Sequence, residues 1–156
     1  MQMAKTPTDT FYLLGSIIRM FSPSAANAGA FSLAEFIIEP GCGSPPNRHP
    51  GEIESFYVLS GQFELIINGE ARTLGPGGFN RVPDGAPHKF TNTGTMNAAM
   101  LVINAPGRVH DRFFAEAGEP LESGSKTFPP PSAVPPDVER IRAIAERCGI
   151  EFKAPP

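Results

Sequence analysis

Between residues 11 and 103 the chain is a succession of short apolar runs, each broken after a few positions by glycine, proline, asparagine or serine. Phe11 to Phe21 and Phe31 to Ile38 are rich in aromatic and β-branched residues, with the small-residue stretch Pro23 to Gly29 between them. That pattern predicts two strands joined by a loop. Ser55 to Leu59 and Gln62 to Ile67 read as two more, separated by Ser60-Gly61. Asn68-Gly69 is the strongest turn signal in the chain, because a type I′ turn needs positive φ at both central positions; it pairs Phe63–Ile67 with Glu70–Leu74. Gly75 to Gly78 ends that strand, Phe79 to Val82 starts another, Pro83-Asp84-Gly85 turns the chain, and Pro87 to Thr91 continues it. Met96 to Ile103 is apolar nearly throughout, which predicts a strand covered on both faces. About eight strands at this spacing are enough to close a barrel.

The period changes after Pro106. Val109, Phe113, Phe114 and Ala117 recur at helical spacing and Gly118 stops the run. Val138, Ile141, Ile144, Ala145 and Cys148 form a second apolar stripe, with Asp137 placed to cap its start and Gly149 just past its end. Pro129-Pro130-Pro131 and Pro135-Pro136 lie between the two and read as an extended linker. The expected organisation is an all-β barrel domain over residues 1–106, followed by a helical and proline-rich extension over 107–156 packed on it.

Composition narrows the possible roles. The thirteen lysines and arginines are scattered and the net charge is −3, so the chain lacks the clustered basic face that a nucleic acid requires. Met1 to Thr10 has neither a basic nor an apolar leader segment, and no apolar run approaches the roughly 20 residues that span a bilayer. The expectation is a cytoplasmic protein with no membrane partner. Two cysteines in unlike contexts, Cys42 in a glycine-rich loop and Cys148 on a helical stripe, fit reduced thiols.

Candidate chemistry concentrates between Gly41 and Asn92. The chain has three histidines; His49 and His88 both lie in this stretch, the first beside Glu52 and Glu54. Imidazole with carboxylate suits borderline divalent metals, and two histidines with one carboxylate around open positions is a recognised arrangement for non-haem iron. Strand parity puts Glu54, Phe56 and Val58 on one face, and His88 and Phe90 on one face. Charged and imidazole groups held inside an apolar barrel are costly unless they bind something or each other. Glu52 is expected at the barrel mouth in solvent, Arg48 and His110 on the surface, and Phe113 and Phe114 on the packing face of a helix.

These residues resemble the two motifs of the cupins. Gly41 is followed after five residues by Asn47, then by His49, Glu54 and Gly61; the second motif is matched by Gly77, Pro83, Gly85, His88 and Asn92. The departure is Asn47, which stands where the family has its first histidine. The resemblance implies a small jelly-roll β-barrel with a divalent metal (iron, nickel, zinc, manganese or copper) held by His49, Glu54 and His88, with Asn47 as the weaker fourth position. It also implies a homodimer formed through a sheet edge, for which the Phe11 to Phe21 strand is the candidate.

Two functions stay open. One is a metal-dependent enzyme, similar to single-domain quercetin dioxygenases, in which Glu54 is both ligand and proton acceptor. Its pocket of Phe36, Phe56, Val58, Phe90 and Met100 would take a small aromatic or apolar molecule. The other is a non-catalytic cupin that binds a small molecule at a degenerate metal site, a reading that Asn47 favours.

Overall fold

In the computed structural model, which describes residues 9–153, the chain forms two antiparallel sheets and two helices. The N-terminal segment read for a leader therefore lies almost wholly outside the described residues. The strands are β1 Thr10–Leu13, β2 Ser16–Ser22, β3 Ser32–Ile38, β4 Asn47–Arg48, β5 Ile53–Ser60, β6 Phe63–Ile67, β7 Glu70–Leu74, β8 Phe79–Val82, β9 His88–Asn92, β10 Ala98–Ala105, β11 Glu119–Pro120 and β12 Glu151–Phe152. The helices are α1 Arg108–Ala117 and α2 Val138–Cys148. One sheet runs β11-β1-β2-β3-β10-β5-β8 and the other β12-β4-β9-β6-β7. The fold is a jelly roll, but its sheets lie face to face as separate hydrogen-bonded units and do not close into one barrel.

The core is what strand alternation dictates. Phe36, Phe56, Val58, Met100 and Val102 project from the larger sheet, and Phe63, Leu65 and Phe90 from the smaller, all buried. Phe90 meets Phe56 and Phe36 edge-on across the gap, at ring separations of 5.5 and 6.3 Å. Burying each such side chain is worth about 1.5–3 kcal/mol. Along β10 the inner residues Ala98, Met100, Val102 and Asn104 are buried while alternate positions are half-buried, so the expected cover on both faces is only partial.

Asn68 and Gly69 take φ of 51° and 81°, and the hairpin pairs Phe63 with Leu74 and Ile67 with Glu70. The Phe11 to Phe21 strand differs from expectation. It breaks at Leu14-Gly15, with φ of 48° and 79°, into the β1–β2 hairpin. Gly15 is required there, because a Cβ would stand 2.4 Å from the Cys42 sulfur. The outer edge of β1 is also taken: β11 pairs with Phe11 and Tyr12, so the edge proposed for a dimer contact is covered.

The helices bury most of their stripes, but Val138, in the first turn of α2, is exposed rather than packed. Phe113, Phe114 and Ala117 of α1 are buried and Gly118 caps its end; in α2 the Asp137 side chain accepts a hydrogen bond from the Arg140 amide, and Gly149 closes the helix at φ 102°. The extension reaches further into the domain than a boundary at residue 106 suggests. β11 adds to one sheet, and β12 joins the other by pairing with Asn47 and Arg48. Among the described residues no helix is long and apolar enough to cross a membrane.

Candidate metal centre

His88 opens β9 directly after the Pro83–Gly85 turn, and its Nδ1–H donates to the Ala86 carbonyl at 2.8 Å. His49 follows β4 in a turn closed by Gly51 at φ 90°, and its Nδ1–H donates to the Glu52 carbonyl at 2.9 Å. The Gly51 amide donates to Asp84 Oδ1 at 2.7 Å, which ties the loops carrying the two histidines together. Glu54 comes from β5 in the opposite sheet. The two motifs thus meet across the sandwich: His88 Nε2 lies 2.8 Å and His49 Nε2 3.1 Å from the same oxygen, Glu54 Oε2. His49, Glu54 and His88 are all buried.

The protonation pattern tests whether these residues fit a metal. A neutral imidazole that gives its Nδ1 proton to a backbone carbonyl has only a lone pair at Nε2. With both rings neutral, two lone pairs would meet on one carboxylate oxygen, an arrangement that is repulsive unless a cation, either protons or a metal ion, lies among the three atoms. Ligands about 2.1 Å from one ion and at right angles to each other stand about 3 Å apart, close to the separations seen. Backbone carbonyls behind ligating histidines are the usual means of fixing their tautomer. The residues present fit a divalent ion.

Burial alone would push the Glu54 carboxyl up, but the charge of His110 and the hydrogen bonds to His49 and His88 outweigh it and hold the group well below the usual carboxylate range. Glu54 is thus a carboxylate, the form a metal needs.

His110 and Glu52 lie elsewhere than expected. Both are buried, at 6% and 1% exposure. Glu52 accepts the Val109 amide at 3.1 Å on one oxygen and makes a short hydrogen bond with His110 Nδ1 on the other. His110 Nε2 then lies 3.8 Å from Glu54 Oε1, and its ring stands edge-on to His49 at 4.5 Å. The signal for His110 was in the sequence: His110, Phe113, Phe114 and Ala117 form an i, i+3, i+4, i+7 stripe, and all four are buried. Glu52 precedes β5, so strand parity does not govern it. Arg48 does turn outward and pairs with Glu151 on the surface.

Asn47 is buried, and its amide nitrogen donates to the Pro45 carbonyl at 3.0 Å and the His88 carbonyl at 3.4 Å. Only its oxygen is left to offer. A cavity of about 60 Å³ adjoins the site, lined by Asn47, Glu54 and His110 with an apolar majority that includes Phe36, Phe90, Phe113 and Phe114. Phe56, Val58 and Met100, expected in this pocket, fill the core instead, each 1% exposed and absent from the lining. The cavity is walled largely by α1, by Phe152 of β12 and by the loop residues Leu14, Gly43, Ser44 and Pro45.

The model of the Cupin domain matches residues 34–104, the span from β3 to β10 that carries Glu54 and the two motif histidines. Protein SchB of Streptomyces halstedii is 26% identical over 92 residues, which cover 59% of this chain and 67% of SchB. The polyketide cyclase RemF of Streptomyces resistomycificus superposes with a TM-score of 0.57 at 24% identity, over 68% of this chain and 80% of RemF. An oxalate oxidase superposes with a TM-score of 0.53 at 25% identity, over 62% of this chain and 54% of its own. Sequence motifs, sandwich topology and the convergence of His49, Glu54 and His88 agree: residues 34–104 are a domain of the cupin superfamily.

Proposed function

We propose that this protein is a metal-dependent cupin enzyme that oxidises a small, largely apolar or aromatic molecule in a dioxygenase-type reaction. One observation carries the reading: two imidazole Nε2 atoms converge on one carboxylate oxygen, at 3.1 and 2.8 Å, beside a mostly apolar cavity. A bound divalent ion would polarise a substrate oxygen and, where redox-active, give access to dioxygen. Phe36, Phe90 and Phe114 would hold the flat face of the substrate and exclude water. In this reading a substrate proton would go to Glu54 Oε1, the oxygen that accepts no hydrogen bond from His49 or His88. Unpaired thiols at Cys42 and Cys148 are consistent with a cytoplasmic setting.

The test starts with elemental analysis of untagged protein purified without added metal. The protein is then reloaded anaerobically with ferrous iron and mixed with a panel of small aromatic diols under labelled dioxygen. Expected is about one metal per chain and entry of both labelled oxygen atoms into one product, with both lost in His88→Ala. Turnover that survives His88→Ala refutes the proposal. The competing reading, ligand binding without turnover, draws on Asn47, which offers a neutral amide oxygen where the motif has an imidazole. A metal-free protein that still takes up an aromatic ligand would favour it.

A further inference from the structure

We infer that His110, supplied by the helix that follows the sandwich, is a third imidazole ligand of the ion and replaces the one absent at position 47. The inference rests on the metal-centre reading above. His110 resembles the other two histidines: its Nδ1 bonds an acceptor, here the Glu52 carboxylate, and its Nε2 lies 3.8 Å from Glu54 Oε1. A carboxylate behind Nδ1 fixes the tautomer and strengthens Nε2 as a donor, the arrangement common behind ligating histidines. Glu52 serves two rings at once, His49 through its backbone carbonyl and His110 through its side chain. A single residue therefore orients one imidazole from the sandwich and one from the helix.

Charge supports the same assignment. Two buried carboxylates, Glu52 and Glu54, face three buried imidazoles, and no Lys or Arg bonds either carboxylate among the described residues. One divalent cation seated among them would balance the two buried carboxylates. The position of α1 is also narrowly set. Gly107, at φ 92°, begins the helix where a Cβ would stand 2.4 Å from the Ser32 amide nitrogen, and Phe114 packs on Phe36 at 5.5 Å. Asn47 offers only a neutral amide oxygen where the cupin motif has an imidazole, and His110 Nε2, 3.8 Å from Glu54 Oε1, can supply the missing ring nitrogen.

The chain contains three histidines, so the experiment can be read ring by ring on the unmodified protein. Untagged full-length protein labelled with ¹⁵N-histidine is titrated with zinc, and long-range ¹H–¹⁵N correlations report each ring nitrogen. His110 is identified by its through-space contact with Phe114, whose ring centre is 5.6 Å away. Expected at one equivalent is movement of all three Nε2 signals to the metal-bound position while all three Nδ1 remain protonated. Movement of His49 and His88 alone overturns this inference and leaves the metal-centre reading standing; movement of none overturns that reading. In a second measurement, His110→Gln is expected to weaken zinc binding by at least tenfold, and Asn47→His in the same chain to restore it. Unchanged affinity in His110→Gln overturns the inference.

Discussion

Replacing His88 with glutamine separates the structural role of the cluster from its role toward metal. In the metal-free protein the substitution removes the contact between Nε2 and Glu54 Oε2 at 2.8 Å and the bond from Nδ1 to the Ala86 carbonyl at 2.8 Å. A hydrogen bond to a charged group is worth about 1.5–3 kcal/mol and an ordinary one about 1, so the metal-free variant should lose about 2.5–4 kcal/mol. Metal adds a second effect. At a free zinc concentration 100 times the wild-type dissociation constant, binding stabilises the wild type by about 2.7 kcal/mol. For a chain of this size that is a rise in Tm of about 5–11 °C. If losing one of its ligands weakens the site a hundredfold, the same zinc concentration stabilises the variant by only RT ln 2, about 0.4 kcal/mol. Urea unfolding of both proteins, each with chelator and with zinc, measures all four stabilities. The reasoning fails if zinc stabilises His88→Gln as much as the wild type, for the ion then binds elsewhere. It fails equally if zinc leaves the wild type unchanged.

Three further outcomes are expected. Phe114→Ala should cost about 3–5 kcal/mol in urea unfolding, because Phe114 is 4% exposed and packs on Phe36 and His110, while Phe114→Leu should cost less than half as much. Glu54 has a depressed folded-state pKa, so in the metal-free protein its contribution is present above the ordinary value of 4.5 and is lost as pH falls through that value toward the lower folded one; acid titration of stability should show this slope in the wild type and a shallower one in Glu54→Gln. The expected homodimer is best served by the exposed Ile53, Tyr57, Leu59 and Phe79 on β5 and the open edge strand β8, where Tyr57 and Phe79 are paired neighbours. Sedimentation equilibrium should give twice 16.7 kDa, falling to the monomer mass in Phe79→Lys, and a wild-type monomer rejects the contact.

The parts of this fold that could be read from the chain are those that local chemistry dictates. Asn68-Gly69 names its own turn type, and through it the register of β6 and β7. Asp137 and Gly149 mark the ends of α2 by capping, which needs no knowledge of what the helix packs on. Tertiary contacts decided the rest. The Leu14-Gly15 break looks like part of one apolar run until the Cys42 side chain is found against Gly15. The two-residue strands β4, β11 and β12 carry no periodicity of their own and exist because a neighbouring edge offers them partners.

The candidate centre divides along the same line. His49, Glu54 and His88 were legible because fixed spacings in two motifs, joined by the register of the sheets, bring them together. Glu52 and His110 were not, because their burial depends on where α1 lands, and strand parity says nothing about a helix. Yet the stripe of His110, Phe113, Phe114 and Ala117 already placed the imidazole on the buried side of that helix. A histidine on such a stripe faces either the core, at a desolvation cost, or a partner that repays it, and Glu52 is that partner. The segment after residue 106 thus supplies a roof to the cavity, an edge strand to each sheet and an imidazole beside Glu54. Its removal should therefore disturb the centre and the sandwich together.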